Sequence, residues 1–248
     1  MSTSGVGLSS FAINLLNSFV RLVVLVCCAV ASLECSNQDN RRFRTIPSSE
    51  SGVVFENRLT ETVDFNIFNY MYFYNGGGVA VGDVNGDDLV DIYFTANQLP
   101  NKLYLNQGKF KFKDISIESG TEGFQGWTTG VNMVDINSDG RLDIYVSYIG
   151  DYEIYHGKNQ LFINEGNDEN GIPKFSDRAL EYGLDLVGFS TQAAFFDFDV
   201  DGDLDMYMLN HSLHQNGTYG KSELRYTSHP LAGDKLLRND DGKFVNVT

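Results

Sequence analysis

A nine-residue pattern rich in aspartate occurs three times in this chain, and no other feature constrains its fold as much. Asp83-Val-Asn85-Gly-Asp87-Asp-Leu89-Val-Asp91 is repeated as Asp135-Ile-Asn137-Ser-Asp139-Gly-Arg141-Leu-Asp143 and as Asp197-Phe-Asp199-Val-Asp201-Gly-Asp203-Leu-Asp205. Each copy follows a small or apolar run (Gly78–Gly82, Gly130–Val134, Gln192–Phe196) and precedes an aromatic one containing Tyr93, Tyr145 or Tyr207. Both flanks have the composition of strands. A second landmark lies downstream of every loop, ending in Asn106, Asn164 and Asn239, and a short run centred on Phe112, Phe175 or Phe244 follows it. Each unit therefore reads strand, acidic loop, strand, connection, strand, turn, strand, which predicts the four-stranded antiparallel sheet of a propeller blade.

The expected fold is all-β, a β-propeller of four-stranded antiparallel blades near residues 76–116, 128–179 and 190–248. An N-terminal partial blade is expected in residues 51–74. About three blades do not close a ring, since four to eight are usual, so the propeller is expected to be incomplete. The connection from loop to second landmark lengthens from unit to unit, from Asp91–Leu103 through Asp143–Leu161 to Asp205–Leu236. The longest connection, from His211 to Gly233, is either a binding decoration or an ordinary surface loop.

The loops themselves predict calcium. A hard cation with six to eight oxygen ligands needs carboxylates or amide oxygens alternating with residues that point away. Positions 1, 3, 5 and 9 supply them as Asp83, Asn85, Asp87 and Asp91; as Asp135, Asn137, Asp139 and Asp143; and as Asp197, Asp199, Asp201 and Asp205. Leu89, Arg141 and Asp203, at position 7, are expected to contribute backbone carbonyls. The order resembles the start of an EF-hand loop, but strands flank it and no bidentate glutamate follows. Magnesium seldom uses protein cages, and transition metals would call for His or Cys, which these loops lack. Hairpin turns alone would favour Asn, Asp and Gly here, but they supply no reason for a ninth-position aspartate in all three copies. Gly140 and Gly202 occupy position 6, whereas the first loop has Asp88 there and its glycine at Gly86.

Composition narrows the partners. Thirty-three acidic residues against 18 basic give a net charge of −15, which excludes nucleic acid, whose phosphates require clustered Lys and Arg. Crowded aspartates also repel one another unless cations neutralise them. Cys27, Cys28 and Cys35 all lie in the first 35 residues, so the repeat region contains no disulfide. Residues 22–33 form an apolar run behind Arg21, the length of a signal-peptide core rather than of a bilayer span. Residues 1–35 are expected to be a signal or lipoprotein signal, 36–50 a polar linker and 51–248 the propeller segment. The chain is thus expected to be exported, either secreted or held at the cell surface or outer membrane as a lipoprotein, with membrane contact only through an N-terminal lipid anchor.

These residues resemble the FG-GAP and VCBS repeat proteins, the propeller family that includes the integrin α-subunit head, over about residues 51–248. Phe65–Asp83, Trp127-Thr-Thr-Gly130 and Asn210-His-Ser-Leu-His214 are similar to exported bacterial members that often carry a C-terminal ASPIC/UnbV module. The resemblance implies a calcium-binding propeller at or outside the cell surface, serving adhesion or recognition of an extracellular protein or glycan. The sequence departs from that pattern at Asp88, at Glu34 before Cys35, and in the number of units.

An enzyme acting on polysaccharide or another extracellular substrate is the alternative. Paired carboxylates can cleave glycosides, but a carboxylate held by calcium is a weak base, and no nucleophile elbow, P-loop, zinc signature or dinucleotide fingerprint is present. His156, His211, His214 and His229 could form a site only if the fold assembled them. The aromatic run Phe65–Tyr74 is either a binding surface or core. Its Tyr70, Tyr72 and Tyr74 alternate as on a strand.

Overall fold

The computed structural model describes Val23 and residues 42–151, 154–212 and 229–248. The chain divides into two compact units, Met1–Thr45 and Ile46–Thr248. In the first, only Val23 and residues 42–45 are described, so Cys27, Cys28 and Cys35 lie outside the described residues. No described helix is long and apolar enough to cross a membrane.

The second unit is all-β. Twelve strands among the described residues form three four-stranded antiparallel sheets. The first blade contains β1 (Val79–Gly82), β2 (Asp91–Phe94), β3 (Lys102–Asn106) and β4 (Phe112–Asp114). The second contains β5 (Trp127–Val134), β6 (Asp143–Ile149), β7 (Gln160–Asn167) and β8 (Pro173–Asp177), and the third β9 (Ser190–Phe196), β10 (Asp205–Asn210), β11 (Lys235–Asp240) and β12 (Lys243–Asn246). In every blade the strands pair in chain order, so each acidic loop is the hairpin joining the first two strands. The register places Gly82 opposite Asp91, Val134 opposite Asp143 and Phe196 opposite Asp205, which closes each loop on its ninth residue.

Packing between blades builds the core. Tyr93 and Leu103 of the first blade meet Val131, Ile144, Val146 and Phe162 of the second. One blade further on, Tyr145, Leu161 and Ile163 meet Ala193, Met206, Met208, Leu237 and Phe244. The middle blade is therefore covered on both faces, and every residue of β6 is buried, while β10 alternates between buried Met206 and Met208 and exposed Tyr207 and Leu209. Threonine hydroxyls tie the innermost strands together: Thr95 Oγ1 donates to the Thr129 carbonyl (2.6 Å) and Thr129 Oγ1 to that of Ser190 (2.7 Å).

Among the described residues three helical turns punctuate the array: α1 (Ser48–Ser51), α2 (Ser116–Ser119) and α3 (Ala179–Tyr182). The last two follow β4 and β8 and turn the chain into the next blade. The buried Tyr93 and Tyr145 hydroxyls fasten these crossings by donating to the carbonyls of Thr121 (2.6 Å) and Leu184 (3.2 Å).

Residues 52–77 contain no strand. Phe55 stacks on Phe94 at 4.6 Å, and further on the aromatic run folds into consecutive turns closed by Tyr70 N–H to Asn66 O and Phe73 N–H to Tyr70 O. The expected strand alternation of Tyr70, Tyr72 and Tyr74 is not found, because in turns the buried set becomes Phe65, Tyr70 and Phe73, which pack on Trp127 and Phe189. The aromatic run is mostly a cap over one end of the blades.

Candidate metal centre

The three loops share one backbone plan. Position 1 caps the turn: Asp83 Oδ1 accepts from the N–H groups of Gly86 (2.7 Å) and Asp87 (3.2 Å) and its Oδ2 from Asp88 (2.8 Å). Asp135 does the same for Asp139 and Gly140, and Asp197 for Val200, Asp201 and Gly202. Position 5 accepts from the N–H of position 7, Asp87 from Leu89, Asp139 from Arg141 and Asp201 from Asp203, at 2.9–3.1 Å. Aspartates bonded to nearby N–H groups favour such turns without any ion, so the local geometry is set by the sequence itself.

The ninth position has a role that the spacing did not reveal. Asp91, Asp143 and Asp205 are buried. Their Oδ2 atoms accept from the N–H of position 2 (Val84, Ile136 and Phe198, at 2.9, 3.1 and 2.9 Å). Their Oδ1 atoms accept from the N–H of Asn106, Asn164 and Asn239, at 2.7, 2.8 and 2.8 Å. Each thus clasps the loop to the end of the third strand. The asparagines reciprocate by donating Nδ2 to the carbonyls of Val90, Leu142 and Leu204. The recurrence of these asparagines was visible in the sequence, but their pairing with the ninth position was not.

Electrostatics distinguish the loops. Burial, reinforced by the charges at positions 5 and 1, pushes the carboxyls of Asp91 and Asp143 up to about 6 despite their backbone bonds. In the first two loops the position-3 amides shield this repulsion, Asn85 Nδ2 donating to Asp87 Oδ2 (3.0 Å) and Asn137 Nδ2 to Asp139 Oδ2 (3.2 Å). The second loop also carries its own counterion: Arg141 Nη2 lies 2.5 Å from Asp139 Oδ2, with Nε donating to the Asn164 carbonyl.

The third loop has neither device. Its third position is Asp199, and carboxylate oxygens of Asp197, Asp199 and Asp205 lie within 4.8 Å of one another. Burial and the charges of Asp201, Asp205 and Asp197 raise the Asp199 pKa. Asp203 adds a carboxylate beyond the expected carbonyl: its Oδ1 is shut off from solvent without a hydrogen-bond partner among the described residues. Burial and the neighbouring Asp201 push that carboxyl up to about 6. Unmet hard oxygen donors at mutually repelling spacing are what an oxygen-seeking divalent cation would neutralise. The residues of the third loop therefore fit calcium best.

The histidines are each engaged separately. His156 Nδ1 is 3.5 Å from Asp151 Oδ1, His211 Nε2 is 3.0 Å from the Tyr70 hydroxyl, and His229 Nδ1 accepts from Leu231 N–H. His214 lies outside the described residues.

Stacked four-stranded blades, each with an oxygen-rich first hairpin, define a propeller-type repeat protein. Residues 83–146 match the FG-GAP-like repeat family, from the first residue of the first loop into β6. The chain is 31% identical over 139 residues to Cartilage acidic protein 1 of Xenopus tropicalis, covering 55% of this chain and 20% of that protein. It is 34% identical over 89 and 92 residues to the proteins of the same name from Mus musculus and Homo sapiens, covering 34% of this chain and 14% of each. The chain thus spans a fifth or less of the relatives it matches.

Proposed function

We propose that this chain is a calcium-stabilised recognition module that works outside the cell, binding an extracellular protein or glycan. The observation that carries the calcium reading is the third loop, where Asp197, Asp199 and Asp205 converge with no cationic or amide residue in the loop itself and only partial offset from Arg238 on β11. Calcium there neutralises the hairpin between β9 and β10. Asp83, Asn85, Asp87 and Asp91, and Asp135, Asn137, Asp139 and Asp143, hold further ions once the Asn85 and Asn137 amides turn their oxygens inward. In the second loop Arg141 competes for Asp139.

Export is supported by the apolar run behind Arg21, which has the length of a signal-peptide core. The matched relatives, whose name places them in cartilage, are consistent with it. Lipidation at an N-terminal cysteine would tether the module to a membrane surface, and mass spectrometry of the mature N-terminus tests that directly.

Asp199 offers the cleanest probe, since its carboxylate makes no hydrogen bond among the described residues and its removal leaves the loop framework standing. Thermal unfolding of the exported protein should shift upward on adding calcium. Saturation at about a hundred times Kd corresponds to about 2.7 kcal/mol per site. Asp199→Ala should lose part of that shift and, by relieving repulsion among the loop carboxylates, leave the melting temperature in EDTA unchanged or slightly raised. Identical melts with calcium and with EDTA would refute the calcium reading.

A further inference from the structure

The acidic loops lie at the finishing ends of β1, β5 and β9. At the starting ends of the same strands is a cavity of about 260 Å³ with a different character. Tyr70, Tyr72, Trp127, Thr191, Gln192 and His211 line it, together with the bare backbone of Gly76, Gly77 and Gly78. In a chain of net charge −15, its described lining contains no Asp, Glu, Lys or Arg.

The aromatic wall is fixed in place. His211 Nδ1 faces the Ser212 carbonyl at 3.0 Å and must carry the hydrogen, because a carbonyl only accepts; Nε2 then accepts from the Tyr70 hydroxyl at 3.0 Å. Burial lowers the His211 pKa, so the ring stays neutral near pH 7. The imidazole sits between Tyr72, at 4.2 Å between centroids, and Phe189, at 5.1 Å. Behind it Trp127 packs edge-on against Tyr70 at 5.6 Å. Such a wall presents rigid amphipathic area with little ordering left to lose on binding.

Polar groups border the wall. The Gln192 amide lies over Gly130, where a Cβ would come within 1.9 Å of its Oε1. Its Nε2 has only long bonds, 3.4 Å each, to Val131 O and Asn132 Oδ1, so it can turn toward a ligand at small cost. Thr191 Oγ1 spends its hydrogen on the Leu209 carbonyl (2.9 Å) and keeps lone pairs for a ligand hydroxyl. Without a counter-charge the cavity disfavours an ionised ligand. Its volume lies below the range for drug-sized molecules and suits one small ring with an apolar face and a hydroxylated rim.

We propose that this cavity binds a single uncharged sugar ring, its C–H face on Tyr72, which His211 backs, and its hydroxyls on Gln192 and Thr191. The proposal rests on reading the chain as a recognition module, and it locates the ligand site at the opposite end of the inner strands from the calcium loops.

Trp127 is the sole tryptophan of the chain and lines the cavity, so its emission reports on occupancy. The exported protein, in calcium, is titrated with the methyl glycosides of glucose, galactose, mannose and N-acetylglucosamine. At least one should give a saturable change with a Kd in the millimolar range. Gln192→Ala should weaken it roughly tenfold or more at unchanged melting temperature, and Tyr72→Ala should weaken it at least as much, with some loss of stability because its ring packs on His211. Gln192 is exposed, so the first variant remains informative if the second fails to fold. No saturable response to any of the four glycosides overturns the proposal, and so does a response that Gln192→Ala leaves intact. Calcium stabilisation with no sugar response faults the cavity alone. A sugar response without calcium stabilisation faults the calcium reading alone.

Discussion

Individual residues in the acidic loops divide into those that shape the chain and those left to hold an ion. Positions 4 and 6 are both left-handed in every copy: Gly86 and Asp88 (φ 77° and 65°), Ser138 and Gly140 (57° and 84°), Val200 and Gly202 (64° and 102°). Either position can therefore take the glycine, which explains why the first loop has it at position 4 and the others at position 6. Val200 is the costliest occupant, a β-branched residue in that region with 85% of its surface exposed. Val200→Gly should therefore stabilise the protein by about 1 kcal/mol in urea unfolding, having strain to relieve and little packing to lose. Position 9 behaves oppositely. Asp143→Ala removes the acceptor for two buried N–H groups, of Ile136 and Asn164, and should cost about 3 kcal/mol even in EDTA. A much smaller cost would show that ion binding, not the clasp, is its main role. The sequence made the alternation of oxygen-bearing residues legible at once. It did not show the clasp, because the N–H groups of Asn106, Asn164 and Asn239 lie on another strand and their pairing with position 9 leaves no mark in local spacing.

Among the elements, the β1–β2, β5–β6 and β9–β10 hairpins gather most of the unfavourable charge, and this gives them a pH dependence with a definite sign. Asp91 and Asp143 titrate near 6 when folded and near 3.9 when unfolded, so between those values the folded state holds more protons. Their contribution to stability is therefore greatest below about 4 and is lost as pH rises through 6. In EDTA, acidification from pH 7 to pH 5 should raise the melting temperature. Carboxyls held low in the fold, such as Asp168 beside Ile172 N–H and Lys174, or Asp240 beside Arg238, weaken it only nearer pH 4. With calcium bound the same change should lower the melting temperature, because protons compete for the ligands. A fall in EDTA as well would contradict the assignment of repulsion to these hairpins. The strands around the hairpins were legible from their alternation and from the turn chemistry at their ends. The cap at 62–75 was not, since Tyr70-Met-Tyr-Phe-Tyr74 has a strand's composition and only its packing on Trp127 and Phe189 selects turns.

For the molecule as a whole, stability is set by blade-to-blade contact, and equivalent residues differ according to whether a neighbour covers them. Tyr145 and Tyr207 stand two residues after the ninth-position aspartate of consecutive blades. Tyr145 is fully buried; its hydroxyl donates to the Leu184 carbonyl and accepts from Asn159 Nδ2 at 2.9 Å. Tyr207 lies on the uncovered face of the third blade, 38% exposed, with its hydroxyl on Asp234 Oδ2 at 2.8 Å. The sequence gives both the same local setting and so could not rank them; the difference arises from stacking, which repetition implies but does not locate. Removing one hydroxyl should therefore have unequal consequences. Tyr145→Phe strands a buried carbonyl and part of a buried amide and should cost about 2 kcal/mol. Tyr207→Phe exchanges an exposed bond for water and should stay within about 0.5 kcal/mol. Urea unfolding of the two variants measures the contrast. Equal losses would mean that Tyr207 too is covered in solution, and that the third blade's outer face has a partner.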